Sequence, residues 1–323
     1  MNDPKAKLFS RPAKSLFNRY NAARLGFFLF GIPKNSFGSV DVTNQCNLHC
    51  DHCYFYEQDQ TSQWPLERWR ELFEQMKEDG FRFYQCTWVG GEPLLRPEII
   101  ELGRSYFKYN TVTTNGSLPL PDWKDVSWYI SVDGGRLTHE KMRNKPGLYD
   151  TIRHNIDQTE GLKITIAYCI TSSNFGELDA SLAEWSSNPK VRNLLFSFYT
   201  PISGADDVLW LECGEKDRVL DFVIGKKHQY GDFILNTEQS LQLMKSGRAR
   251  SVTDRCPFAA KSFAFDASGN HKQPCMMGPK ADCTRCGCVV PFYLRSLTDR
   301  RLVLREVLAH AVKSIRRVMG VVL

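Results

Sequence analysis

Three cysteines, Cys46, Cys50 and Cys53, stand at spacings of four and three residues in the run Cys-Asn-Leu-His-Cys-Asp-His-Cys. A loop of that length can wrap three thiolates around one cubic iron–sulfur cluster, and three ligands leave one iron open. An open iron can chelate a small molecule through its amine and carboxylate, which a structural zinc site with four protein ligands cannot do. His49 and His52 lie among the cysteines, so a Cys3His zinc site is the rival reading. A second group, Cys256, Cys275, Cys283, Cys286 and Cys288, brings up to five thiolates into a stretch with too little apolar sequence for its own core. A metal is its expected organiser. Cys256, Cys275, Cys283 and Cys286 are the expected ligands, and Cys288 is an alternative ligand or a free thiol. Zinc and a [4Fe–4S] cluster compete there, because Cys-x2-Cys suits both. Cys86, Cys169 and Cys213 stand alone and read as reduced thiols, the first two in strands.

The elements that must position these groups follow from the hydrophobic pattern. Between residues 38 and 200, β-branched and aromatic runs alternate with amphipathic stretches, as repeated βα units around a parallel sheet require. Strands are expected at 38–43, 82–89, 109–114, 127–132, 163–171 and 193–199, and helices at 65–79, 95–108, 147–160 and 174–187, the last capped by Asn174. The expected fold class is α/β, a partial (β/α)6 TIM-like barrel with a small C-terminal Cys-rich iron–sulfur appendage. Helices at 215–229 and 237–246 follow a turn-rich connection. Residues 256–275 read as a β-hairpin turning at Asp266–Asn270. No phosphate-binding Gly-rich loop occurs, which leaves nucleoside triphosphate chemistry without support.

The spacing Cys-x3-Cys-x2-Cys, with a histidine just before its last cysteine, resembles the signature of the radical S-adenosylmethionine (SAM) superfamily. Further pieces of that pattern follow in order, each after a predicted strand: Gly90-Gly91-Glu92-Pro93, Thr114-Asn115-Gly116, Ser131-Val-Asp133-Gly134 and His139 to Arg143. Each alone reads as a turn. Together they lie at the C-terminal strand ends, where parallel α/β folds build their sites. The resemblance, which covers about residues 38–200, implies a [4Fe–4S] cluster on Cys46, Cys50 and Cys53 that binds SAM and cleaves it to a 5′-deoxyadenosyl radical. It further implies that Gly90 and Gly91 leave room for the ligand and that Glu92 accepts from the SAM ammonium. His52 would lie near the adenine, Asn115 and Ser131 near the ribose and methionine ends, and Arg143 against the SAM carboxylate. The second cysteine group resembles a Twitch or truncated SPASM appendage carrying an auxiliary [4Fe–4S] cluster, with fewer cysteines than the full pattern.

Five segments result: 1–37, basic and apolar; 38–200, the barrel; 201–250, a helical connection; 251–295, the Cys-rich appendage; and 296–323, a basic amphipathic helix. Residues 1–37 carry seven Lys and Arg against one Asp, and 295–323 seven against two carboxylates, leaving the stretch between them net negative within an overall charge of +6. Such ends suit a membrane surface or a solvated face packed on the domain; nucleic acid is not expected. The start lacks the order of a signal peptide, and no apolar run approaches the ~20 residues of a span. A cytoplasmic protein, peripheral at the inner face of the membrane, is the expectation. Three functions follow. The first is a radical SAM enzyme modifying an unactivated C–H bond of a lipid or isoprenoid-like substrate. The second applies the same chemistry to a peptide or protein, although 37 residues are too few for a winged-helix leader-binding module before the barrel. The third is a non-catalytic iron–sulfur or zinc adaptor. Either enzyme would need a one-electron donor such as flavodoxin or ferredoxin; no stretch remains for a cobalamin domain.

Overall fold

A computed structural model describes residues 26–27, 29–57, 62–204 and 208–299. Seven strands form one sheet: β1 (Phe37–Asp41), β2 (Gln85–Val89), β3 (Tyr109–Thr114), β4 (Val126–Ser131), β5 (Lys163–Ile170), β6 (Val191–Phe198) and β7 (Phe263–Phe265). Their order is β6-β5-β4-β3-β2-β1-β7, every pair is parallel, and β6 and β7 are the open edges of a TIM-like partial barrel.

Alternate strand residues point to opposite faces of the sheet. One face, with Val40, Trp88, Val112, Trp128, Ile130 and Ile166, is fully buried. It shares one apolar core with the helices α1 (Leu66–Glu78), α2 (Pro97–Arg104), α4 (Leu148–Asp157) and α5 (Leu178–Ser187). Helix α1 shows how the pattern works: Trp69, Phe73 and Met76 recur at helical spacing and are its buried residues. Gly103 of α2 lies so close to the Trp88 ring that a Cβ there would come within 1.9 Å of it. α3 (Arg136–Met142), between β4 and α4, was not expected as a helix. After β6 come α6 (Cys213–Tyr230), α7 (Glu238–Met244), α8 (Ser246–Thr253), α9 (Pro257–Lys261) and, past the last cysteines, α10 (Val289–Thr298).

Several expectations are corrected. The second strand starts at Gln85 because Phe81 and Phe83 turn into an aromatic cluster, their ring centroids 5.0 Å apart. Asn174 stands at the start of a 3-10 turn, Phe175–Glu177, that leads into α5, but its side chain makes no cap bond. Its Oδ1 accepts from Thr171 N, and its Nδ2 donates to the carbonyls of Asp133 and Cys169, so it joins the ends of β4 and β5. The hairpin over 256–275 is shorter than expected, because its first residues form a helix and its first arm pairs with β1. Pro257 takes the first turn of α9, where it sacrifices no helix hydrogen bond, and Cys256 Sγ accepts from Ala259 N. The strand that follows joins β1 as a seventh parallel strand. The expected turn at Asp266–Asn270 is present: Asp266 N donates to Asn270 O, Lys272 N to Ala264 O, and Phe265 bridges His271.

The Cys-rich stretch therefore begins as an edge of the barrel sheet. It returns to the other edge, where Phe198 N donates to Gly287 O, Gly287 N to Thr200 Oγ1 and Asp282 N to Pro201 O. It spans the gap between β7 and β6 at the C-terminal ends of the strands. The expected helix over 296–323 lies almost wholly outside the described residues.

Gly38 is where β7 meets β1 most tightly: a Cβ there would stand 2.1 Å from Phe263 O. Gly38→Ala is expected to weaken this pairing by about 1–3 kcal/mol and to expose residues 256–299 to protease before the rest. A cleavage pattern and urea midpoint like those of the wild type would refute the closure role given to β7.

Candidate functional site

The chain leaving β1 carries the three cysteines over the C-terminal ends of β1–β4. Thr43 shapes the turn: it is fully buried, and its Oγ1 accepts from Gln45 N and donates to Gln63 Oε1. Gly91 N then donates to Thr43 O and Glu92 N to Gln45 O. Gly90, at φ 122°, and Gly91 are glycines because of this backbone: a Cβ at Gly91 would meet Gln45 O at 1.9 Å. The room they leave is thus taken by the cysteine loop itself, which the sequence reading had given to the ligand.

Glu92 braces the same region. Buried and raised by that burial, its carboxylate accepts from Thr114 Oγ1, Leu94 N and Asn115 N. Few lone pairs then remain for an incoming ammonium. Asn115 donates to Asn47 Oδ1, and its Nδ2 lies 3.9 Å from Cys46 Sγ. Leu48 N also points at Cys46 Sγ. Tyr56 donates to Leu48 O and stacks on His49.

The strongest interactions converge on Asp133, fully buried just past β4. Arg143 gives its Oδ2 both Nε and Nη2, at 2.8 and 2.6 Å, while His52 Nε2 lies 3.3 Å from the same oxygen. Cys169 N donates to Oδ1, and Asp133 N donates to His139 Nδ1. Burial alone would raise this carboxyl, but Arg143 and His52 outweigh it and hold it well below the carboxylate range. His139 is lowered to about 3 by burial and by Arg143, so it stays neutral and its Nδ1 can accept. Among the described residues, the carboxylate that Arg143 meets is that of Asp133, through Nε and Nη2.

The end of α3 also clasps the loop between the second and third cysteines. Asp51 N donates to Met142 O, and Asn144, in a left-handed conformation, donates to His49 O and to Asp51 Oδ1. Burial raises all three thiols, Cys50 to about 12 with Arg143 opposing. Such thiols become thiolates when a metal takes the proton's place, with Leu48 N, Asn115 and Arg143 turned toward them.

In the second group, Cys275, Cys283 and Cys286 are each raised by burial and by Cys256, with Cys283 adding to Cys275, and Cys275 and Cys283 adding to Cys286. Cys288 lies deeper: burial raises it strongly, and it feels Cys286, Cys275 and Cys256. Tyr54 fills the space between the two groups, its buried phenol within electrostatic reach of Cys53 on one side and of Cys275 and Cys288 on the other. Among the described residues no three His, Cys, Asp or Glu side chains close on a single metal ion's position; a cubic cluster sets its thiolates wider apart than one ion does. The sequence had not singled out Asp41 or Lys272, a buried ion pair of 2.7 Å that ties the Cys-rich stretch to β1. Burial raises Asp41 to about 6 even against Lys272.

The radical SAM superfamily pattern matches residues 40–179, so this stretch is a radical SAM domain. That family's cofactors are a [4Fe–4S] cluster and SAM. Among curated proteins, Fe-coproporphyrin III synthase of Methanosarcina barkeri is 28% identical over 167 residues, 47% of this chain and 41% of that protein. The sporulation killing factor maturation protein SkfB of Bacillus subtilis is 26% identical over 161 residues, 43% and 37% of the two chains. The chain thus spans about two fifths of the length of these relatives. Streptococcus suis SuiB bound to S-adenosylmethionine has a similar fold, with TM-score 0.60 at 14% identity, 93% of this chain and 75% of that one. So has anSMEcpe with bound AdoMet, with TM-score 0.58 at 16% identity and 80% of each chain.

Two outcomes are expected. Asp133→Asn strands the buried guanidinium of Arg143 and costs about 3–5 kcal/mol of stability; a loss below about 1 kcal/mol in chemical denaturation would remove Asp133 from its central place. Asp41, raised in the folded chain, binds its proton more tightly there than unfolded, so its contribution to stability falls as pH rises from about 4 to about 6. Asp41→Asn is expected to flatten that part of the stability–pH curve, and an unchanged slope would contradict the assignment.

Proposed function

We propose that the chain is a radical SAM enzyme acting on a polar substrate of peptide type. The observation that carries the substrate class is the concave face of the sheet. Thr87, Thr111, Thr113, Ser127, Tyr129 and Ser131 occupy the strand positions opposite the apolar core and are all half-buried. A wall of hydroxyls can give and take hydrogen bonds with amides, whereas an isoprenoid chain would leave it unsatisfied. That favours the peptide reading over the lipid one. Two proteins of similar fold, SuiB bound to precursor peptide SuiA and anSMEcpe with bound AdoMet and Cp18Cys peptide, lend it support.

Held by Cys46, Cys50 and Cys53, a [4Fe–4S] cluster with SAM would supply, on taking one electron from a flavodoxin- or ferredoxin-like donor, a 5′-deoxyadenosyl radical for hydrogen abstraction. The chain's own part is to place and shield. Asn115 and Leu48 N face Cys46, Ser131 stands on the concave face beneath the loop, and the Asp133–Arg143–His52 group fixes the rim. The Cys-rich stretch covers the gap between the sheet edges and excludes water from that side. Cys256, Cys275, Cys283 and Cys286 would hold a second [4Fe–4S] cluster, with Cys288 behind them.

Anaerobically reconstituted protein, reduced and given SAM, is expected to release methionine and 5′-deoxyadenosine. Cys46→Ala should lower that yield by at least about a hundredfold. An intact cluster without 5′-deoxyadenosine would leave the non-catalytic adaptor as the better account.

A further inference from the structure

All seven strands are parallel, so their N-terminal ends share one end of the barrel, opposite the loop of Cys46, Cys50 and Cys53. At that end each of β1–β6 begins beside an exposed cation: Lys34, Arg82, Lys108, Lys124, Lys163 and Arg192. Carboxylates share this end: Asp125 is taken by Arg104, Asp122 pairs with Lys124 at 3.5 Å, and Asp79, Asp157 and Glu160 stand exposed at the helix ends and turns that lead into β2 and β5. Two exposed tyrosines stand among the cations, Tyr84 and Tyr109, 45% and 48% exposed and edge to face at 5.0 Å. Lys108 lies over both rings. Just before β1, Leu29 and Phe30 are 60% and 88% exposed.

Both basic ends of the chain join the body on this side. The segment ahead of β1 reaches it through Ile32, which packs with Phe258 and Leu294, and Ser36, whose carbonyl accepts from Gln85 N. Helix α10 starts beside the C-terminal end of β6, where Gly287 bonds Phe198, and midway along it Leu294 meets Ile32. In the sequence, residues 1–37 carry seven cations and 295–323 another seven, while the stretch between is net negative.

We propose that this end of the barrel is a docking face for an anionic phospholipid bilayer. Cations meet the lipid phosphates, the tyrosines sit at headgroup depth with ring and hydroxyl each in a suitable medium, and Leu29 and Phe30 enter the acyl boundary. Nucleic acid would be served by the cations but offers no home to Leu29 and Phe30. The orientation has a functional content: the barrel mouth faces away from the membrane, so the bilayer holds the protein without feeding its site.

The test is flotation of the full chain with phosphatidylglycerol–phosphatidylcholine vesicles and with phosphatidylcholine alone. The wild type is expected to float only with the anionic vesicles. Arg82→Glu/Lys108→Glu/Lys163→Glu should lower the floated fraction about tenfold, and Tyr84→Ser/Tyr109→Ser several-fold. Arg68→Glu/Arg136→Glu, reversals at the mouth end, should leave it unchanged. Wild-type flotation by the triple variant, an equal loss in the mouth-end variant, or displacement of the wild type from vesicles by single-stranded RNA would each overturn the proposal. SAM cleavage without vesicles reads the active site separately, so failure of one reading leaves the other standing.

Discussion

The buried pair of Asp133 and Arg143 is the constraint on which the rest of the site depends. One carboxylate, out of water, receives a guanidinium, an imidazole and a backbone N–H, and these come from α3, the cysteine loop and β5. A lone buried charge would be intolerable, so the three elements hold their places together or not at all. The cysteine loop has no regular structure of its own over Cys46–Cys53. Its shape is borrowed from Asp133 through His52, from α3 through Asn144 and Met142, and from β2 through the glycine pair.

How much of this was legible depends on range. The strands showed in the alternation, and the cysteine loop and strand-end motifs in residues a few positions apart, because such features are local. Partner choice was not local. Arg143 was visible as a cation near the rim, yet its acceptor was found only when β4 and α3 came together. Asn174 looked like a cap because it precedes an amphipathic stretch, but the ends of β4 and β5 offer it better-buried partners. Asp41 and Lys272 lie far apart in the chain, and nothing in either neighbourhood announces the other. The turn at Asp266–Asn270 was local and legible, but the pairing of the strand ahead of it with β1 was not: a short apolar run between turns carries no sign of which edge it will join.

The two faces of the sheet divide the labour. The convex face is apolar and closed under helices, which makes the protein fold; the concave face is hydroxylic and half-buried, which makes it able to hold something polar. The loop of Cys46, Cys50 and Cys53 sits at one end of that hollow, and exposed cations and tyrosines at the other. The proposed chemistry and the proposed bilayer contact thus fall at opposite ends of one barrel.

The seventh strand has a consequence for how the molecule comes into being. β7 pairs with β1, yet β2 to β6 and most of the helices lie between them in the chain. During synthesis the free edge of β1 must wait, unpaired, while those five strands emerge, since closing so long a loop comes late and slowly. An uncovered parallel edge invites pairing with another chain. A truncated or stalled product lacking residues 256–288 would keep that edge open, which makes aggregation, rather than simple inactivity, the natural fate of incomplete copies.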